Sequence, residues 1–282
     1  MRAAAAAVAA IAMVACAAGD RPTPQSAPAG KRPRTAKLAV ARSKAPGSAP
    51  AARPSGDPLR PVASDQSLGD GTSYRMYAWS FPLRDAELDV VDLAFTTPME
   101  GALAAAGASL VFNAGFFGVD GAAQGLAIAR GRTISALSPP LGGGVLSTRA
   151  RRASLHEAET FQLPSGTDFA IQCRPRLVVD GRANVRRDDG KRADRTALCI
   201  RDHGERLEML IARTEDPTGM SGPTLHAFAR TLERRGCEAA LNLDGGPSTG
   251  AAWRDRGAVR VLDPRGPVRL AISVRVRGAA GR

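Results

Sequence analysis

Along residues 74–276 short runs of apolar and strand-forming residues are broken by polar and glycine-rich turns, and at 223–235 the apolar positions take the period of a helix. Tyr74 to Phe81 and Ala86 to Phe95 are rich in aromatic and β-branched residues and predict two strands. Thr97-Pro98-Met99-Glu100 predicts a helix start, with Thr97 as N-cap, Pro98 in the first turn and Glu100 closing a capping box. Gly107 ends that helix. A short apolar strand, Ser109 to Phe112, runs directly into Asn113-Ala114-Gly115-Phe116-Phe117. Gly125 to Arg132 predicts a hairpin, and Leu177 to Arg182 repeats its strand-turn pattern. Ala193 to Ile200 and Leu207 to Ala212 are further strands. Within 223–235, Leu225, Phe228, Ala229 and Leu232 fall at i, i+3, i+4 and i+7, and Gly236 follows, which predicts the clearest helix. Ala239 to Leu243 is a buried strand leading into Asp244. Val268 to Val276 alternates, with Val268, Leu270, Ile272, Val274 and Val276 on one face, and predicts a strand with one buried face. There is no internal repeat. The sum is an α+β fold: a single mixed domain with more strand than helix, over residues 69–282.

Ahead of that domain the pattern differs. Residues 1–18 run from Arg2 through an Ala-rich apolar stretch to Cys16 and small residues, the order of a signal peptide. The stretch is shorter than the roughly 20 apolar residues of a membrane span. Met13-Val14-Ala15-Cys16 resembles a lipoprotein signal, in which Cys16 carries the lipid anchor; ordinary cleavage at a nearby small-x-small site is the alternative. Residues 19–68 hold nine prolines by position 61 and few large apolar side chains. Such a stretch cannot bury enough surface to offset its ordering entropy and reads as a disordered linker. The expectation is an exported protein, periplasmic or extracellular, free or membrane-anchored as a lipoprotein.

Charge sharpens this division. The formal net charge is +12, and residues 17–60 carry nine Lys/Arg against two Asp. The basic character therefore belongs largely to the linker, which suits contact with an anionic envelope. The linker lacks interleaved aromatics, so no specific nucleic-acid role is expected. Beyond Cys16 the cysteines are Cys173, Cys199 and Cys237, an odd number. A Cys173–Cys199 bridge is possible in an oxidising envelope, with Cys237 a buried free thiol.

Two strands end abruptly in polar, glycine-rich sequence, at Asn113 and at Asp244. A buried strand fixes the residue at its tip, and glycines let backbone N–H groups approach a ligand. Asp244-Gly245-Gly246-Pro247-Ser248-Thr249 offers a carboxylate, a possible nest of N–H donors and two hydroxyls, which suits a phosphate or sugar. The same run is also ordinary turn chemistry. Asn113-Ala114-Gly115-Phe116-Phe117, Gly125-Leu126, Pro175 to Gly181, Arg195-Thr196-Ala197 and Ala240 to Thr249 occur in this order, and together they resemble the phosphodiester glycosidase family over roughly 74–277. The resemblance implies a mixed α/β domain that hydrolyses a sugar joined through its anomeric carbon to a phosphodiester. It carries over Asn113, Gly115, Arg195, Thr196, Asp244, Gly245, Gly246, Ser248 and Thr249 as site residues. Two positions depart from the family pattern: Pro247 replaces a common third glycine and removes a donor, and Asp194 stands where proline is frequent.

Most glycosidases need two carboxylates, one to protonate the leaving oxygen. A phosphodiester already leaves well, so one carboxylate with a cationic cradle can suffice. Asp244 is expected near the anomeric centre, as base on water or as electrostatic support. Arg195 would hold the phosphate with its guanidinium fork. Gly115, Thr196, Gly245, Gly246, Ser248 and Thr249 would line the substrate, and Asn113 would orient sugar hydroxyls or the water. The plain readings stand beside these. Arg195 with Asp194 can be a surface ion pair, Asn113 a strand end, and Phe116 and Phe117 core residues. His156, His203 and His226 lack metal-ligand spacing and read as structural. No cofactor is required, and a divalent ion at Asp244 is compatible with the pattern. Two other functions compete: a non-catalytic envelope module binding sugar phosphate or polysaccharide, which Pro247 favours, and a phosphodiesterase acting at phosphorus, which the lack of a metal cluster disfavours.

Overall fold

A computed structural model describes residues 59–68 and 70–276. The expected signal peptide with Cys16, and the linker up to residue 58, lie outside the described residues. The elements in chain order are β1 (Val62–Ser67), β2 (Ser73–Pro82), β3 (Ala86–Asp92), α1 (Met99–Ala105), β4 (Leu110–Asn113), β5 (Ala127–Ala129), β6 (Arg132–Ser135), β7 (Gly144–Arg149) and β8 (Arg152–Glu157). There follow β9 (Phe169–Cys173), β10 (Arg176–Val179), β11 (Arg182–Ala183), β12 (Arg195–Arg201), β13 (Arg206–Arg213), α2 (Leu225–Arg234), β14 (Ala239–Asn242), β15 (Ala251–Asp255), β16 (Ala258–Leu262) and β17 (Leu270–Val276). The excess of strand over helix is as expected.

The strands form three sheets, ordered β1-β2-β13-β12-β14-β10-β11, β16-β15-β4-β17-β3 and β6-β5-β9-β7-β8. Every pairing is antiparallel, so the sheets themselves are not the mixed kind. Four hairpins turn in two residues that both have positive φ: Arg130-Gly131, Ala150-Arg151, Asp180-Gly181 and Arg256-Gly257. Turns of this type match the twist of the strands they join.

One core lies among all three sheets. Trp79, Phe81, Leu198 and Met209 come from the first, Phe112, Trp253 and Ile272 from the second, and Leu146, Phe169 and Ile171 from the third. Trp79 and Trp253 meet edge to face at 5.3 Å. The other face of the first sheet is covered by α2 through Phe228, Ala229 and Leu232. The other face of the second is covered by α1 through Met99, Ala102 and Leu103.

Several expectations change. β17 is buried on both faces, because Ala271 packs under α1 while Leu270, Ile272 and Val274 face the central core. Thr97 is not the N-cap of α1; Pro98 takes that place without a side-chain cap. β3 stops at Asp92, and Ala94 and Phe95 turn into the left-handed region. β1, inside the stretch read as linker, pairs with β2 along its whole length. The disulfide joins Cys199 to Cys237, with Cα atoms 5.5 Å apart, and Cys173 is the free, buried thiol. Strand alternation explains this correction. Cys199 faces α2, near Cys237, whereas Cys173 belongs to the central core on the other side of the first sheet.

Candidate active site

The ends of strands from all three sheets converge at one place. β4 ends at Asn113 and β9 at Cys173, β12 begins at Arg195, and β14 ends just before Leu243-Asp244. Backbone bonds join them: Asp244 N–H donates to Ala114 O at 2.9 Å, Leu243 N–H to Thr196 O at 2.9 Å, and Asn242 N–H to Pro175 O at 3.0 Å. Asn113 is fully buried at the centre. Its Nδ2 donates to Asp244 O at 2.7 Å. Its Oδ1 accepts from Thr196 Oγ1 at 2.8 Å and from Gly250 N–H at 3.2 Å. A buried amide demands such partners. Asn113 thereby ties the strand tips together, its Oδ1 accepting two hydrogen bonds and its Nδ2 donating one.

Asp244 is partly buried, and its Oδ1 accepts from Gly245 N–H at 2.9 Å. Burial pushes its carboxyl up to about 6, against the opposing hydrogen bonds from Ser248 and Gly245. The Ser248 hydroxyl has one proton and two acceptors, this carboxylate and Pro267 O at 2.9 Å. Cys173 lies on the other side. Burial first, and then the charge of Asp244, hold its thiol protonated. A carboxyl poised near neutrality by desolvation, with a neutral thiol beside it, suits proton transfer.

The loop after Asp244 is not an open nest. Gly246 N–H donates to Asp194 O at 2.7 Å, Ser248 N–H to Gly245 O at 3.3 Å, and Thr249 N–H to Gly246 O at 3.1 Å. With Gly245 N–H on Asp244, each backbone donor of the expected cradle is already spent, because the chain folds back on itself as a short 3-10 turn from Gly246 to Ser248. Glycine is required here: a Cβ on Gly245 would stand 2.7 Å from Asp194 O, and Gly246 has φ +59°. Pro247 is exposed, where a missing donor costs little. Thr249 Oγ1 and Asn242 Oδ1 are buried beside the loop without partners.

Arg195 points to the α2 side of its sheet, while the next residue, Thr196, points inward to Asn113. Its Nε donates to Pro223 O at 3.0 Å and its Nη2 to Lys191 O at 2.7 Å. Burial lowers its basicity, and Asp189 and Asp194 oppose that shift. The structure thus gathers Asn113, Thr196 and Asp244 into one knot; Arg195 adjoins it along the chain, but its side chain lies toward α2 with two of its donors held by carbonyls. Gly115 lies between Leu270 and Ile171. Phe116 packs on the central core, and Phe117 meets Phe95 edge to face at 5.0 Å. His226 Nδ1 bonds Val185 O, and His203 sits exposed in a turn. No three His, Cys, Asp or Glu among the described residues are grouped to hold a metal. A cavity of about 290 Å³ uses Gly266 and Pro267 as wall, on the segment that Ser248 bonds. A larger one of about 490 Å³ is lined by Arg130, Arg151 and Arg275, away from Asp244.

A β-rich domain whose strand ends converge on Asp244, a desolvated carboxylate, is the class that fold and site define. The profile of the phosphodiester glycosidases matches residues 106–274, and the chain belongs to that family. Solved structures share the fold, among them the following three. The catalytic domain of zebrafish N-acetylglucosamine-1-phosphodiester alpha-N-acetylglucosaminidase, auto-inhibited by its pro-peptide, is 15% identical with TM-score 0.61, over 80% of this chain and 86% of that one. A hypothetical Synechocystis protein is 15% identical with TM-score 0.55, and the match spans 80% of this chain but 65% of that chain. A protein of Burkholderia pseudomallei, described as exported, is 13% identical with TM-score 0.54, over 73% and 74% of the two chains. No curated protein sequence matches.

The sequence pattern did not mark Cys173 as a site neighbour, and it gave Asn242, at the head of the Asp244 loop, no role. Asn242 Nδ2 donates to Arg174 O at 2.8 Å and Leu243 O at 2.7 Å, holding the turn before Asp244. A polar residue in an otherwise apolar strand was the available signal.

Proposed function

We propose that the protein hydrolyses a glycosyl phosphodiester, releasing the sugar and a phosphomonoester, outside the cytoplasm. The observation that supports it most is Asp244: a carboxyl raised to about 6 at the convergence of strand tips, in a member of this family. Water attacks the anomeric carbon, the bond from that carbon to the bridging phosphate oxygen breaks, and the phosphomonoester leaves as an anion. Asp244 in its ionised form accepts the proton of the attacking water. A base with pKa near the working pH combines availability with proton affinity. Arg195 offers its uncommitted N–H groups to the departing phosphate. Thr196, Ser248, Thr249, Gly115, Gly245 and Gly246 shape the substrate pocket, and the unpartnered Thr249 hydroxyl is the donor a substrate oxygen would take up. The mechanism uses no cofactor. The Cys199–Cys237 disulfide supports an oxidising location, and the basic segment before residue 61 suits an anionic envelope surface.

One observation favours a second reading. Every backbone N–H of the loop from Gly245 to Thr249 is satisfied internally, so the loop offers no N–H cradle to a leaving phosphate, which suits a module that holds sugar phosphate through side chains without turning it over. Incubation of the purified protein with sugar-1-phosphodiesters separates the two. The hydrolytic reading expects release of free sugar, lost by at least about 100-fold in Asp244→Asn. Saturable binding with no release would select the binding module.

A further inference from the structure

Asp194 is wholly buried, yet it is neither a surface ion pair with Arg195 nor part of the expected site. Its Oδ1 accepts from Thr214 N–H and Thr214 Oγ1, each at 3.0 Å. Its Oδ2 forms an ion pair with Arg265 Nη1. Its backbone N–H donates to Gly219 O at 2.7 Å, and its carbonyl accepts from Gly246 N–H at 2.7 Å. Arg265 closes the circuit. Its Nη2 donates to Thr214 O at 2.6 Å, and its backbone N–H donates to Pro247 O at 2.7 Å. Asp194, Gly246, Pro247 and Arg265 therefore form a ring around the base of the Asp244 loop.

The ring has little slack. A Cβ on Gly219 would come within 3.0 Å of the Gly246 backbone, and one on Gly245 within 2.7 Å of Asp194 O. Asp194 also directly precedes β12, so the residue after it is Arg195 and the next is Thr196, which bonds Asn113. Any displacement of Asp194 is transmitted in two directions, through Gly246 to Asp244 and along the chain to Arg195. A buried carboxylate in such a place needs its cation, because removing one partner of a buried pair leaves an uncompensated charge.

We infer that Asp194, paired with Arg265, is a positioning residue that sets the spacing between the Asp244 loop and Arg195. This rests on the hydrolytic reading of the site. It also links the chain's two departures from the family pattern, since Arg265 grips Asp194 with its side chain and Pro247 with its backbone. Asp194 and Arg265 touch no substrate; they act through Gly246 and Arg195.

The test uses the full chain with Asp194→Asn, Arg265→Met, the double variant, and Arg265→Lys. Two readouts are taken: kcat and KM on a sugar-1-phosphodiester, and amide hydrogen exchange resolved by segment. The expected result is a fall in kcat/KM of roughly 10- to 100-fold in each single variant. The double variant should be no worse than the poorer single, and Arg265→Lys should recover part of the loss. Exchange should rise in 244–249 and 265–267 while the β2–β13 ladder keeps its protection. Wild-type kinetics with unchanged exchange at Gly246 would overturn the inference, as would protection lost uniformly across the chain. If the wild type itself releases no sugar, the hydrolytic reading fails, and the exchange data still decide whether Asp194 holds the loop. Should Asp194→Asn not fold, Arg265→Lys reads out the same loop.

Discussion

The carboxyl of Asp244 titrates near 6 because it is desolvated, and only two hydrogen bonds offset that burial. A carboxyl with a folded pKa above its unfolded value binds more protons folded than unfolded. Ionised Asp244 therefore subtracts stability above pH 6, and the deficit fades as pH falls through 6 toward 4. Asp244→Asn mimics the protonated form and should stabilise the protein by about 1–3 kcal/mol at pH 8, read by urea denaturation, while hydrolysis is lost. Equal or lower stability at pH 8 would refute the desolvation account. In the wild type, kcat/KM should rise with pH through a single limb near 6, and a profile flat from pH 5 to 8 would remove Asp244 as base. Arg195→Ala should cost about 1.5–3 kcal/mol in kcat/KM, the worth of a charged hydrogen bond, with a smaller effect on a substrate lacking the phosphate. At this scale the sequence exposed Asp244 and Asn113 through abrupt polar strand tips, and Thr196 only through the family resemblance of Arg195-Thr196-Ala197. It did not expose that Asn113 bonds across the strand tips, because partners 131 and 83 residues away along the chain are invisible to a local pattern.

Elements were legible where their signals were local. The helix over Leu225–Arg234 has its apolar stripe and Thr224 as N-cap, bonded from Ala227 N–H at 3.1 Å. The hairpin at Asp180-Gly181 carries a standard turn pair. The hairpin joining β7 and β8 turns through Ala150-Arg151, which has no turn signature, so both strands were missed. β9 is buried at every position and offers no alternation to detect. The disulfide was mispaired for a related reason: cysteine spacing does not reveal which face of a sheet each thiol takes. Cys199–Cys237 ties β12 to the segment after α2 across a separation of 38 residues. Replacing both by alanine should destabilise the domain by about 2–4 kcal/mol, measured as a lower denaturation midpoint that reducing agent lowers no further. A midpoint unchanged from wild type would contradict the bridge.

For the whole domain, short apolar and β-branched runs between turns foretold more strand than helix but not a division into three antiparallel sheets around one core. That arrangement places β4, β9, β12 and β14 tip to tip, and it is why residues far apart in the chain meet at Asp244. The central claim is that the bond broken lies between the anomeric carbon and oxygen, with Asp244 assisting water at carbon. Hydrolysis of a sugar-1-phosphodiester in oxygen-18 water, with both products analysed by mass spectrometry, tests it directly. The account predicts the label in the C1 hydroxyl of the released sugar and none in the phosphomonoester. Label in the phosphate would contradict it and place the attack at phosphorus.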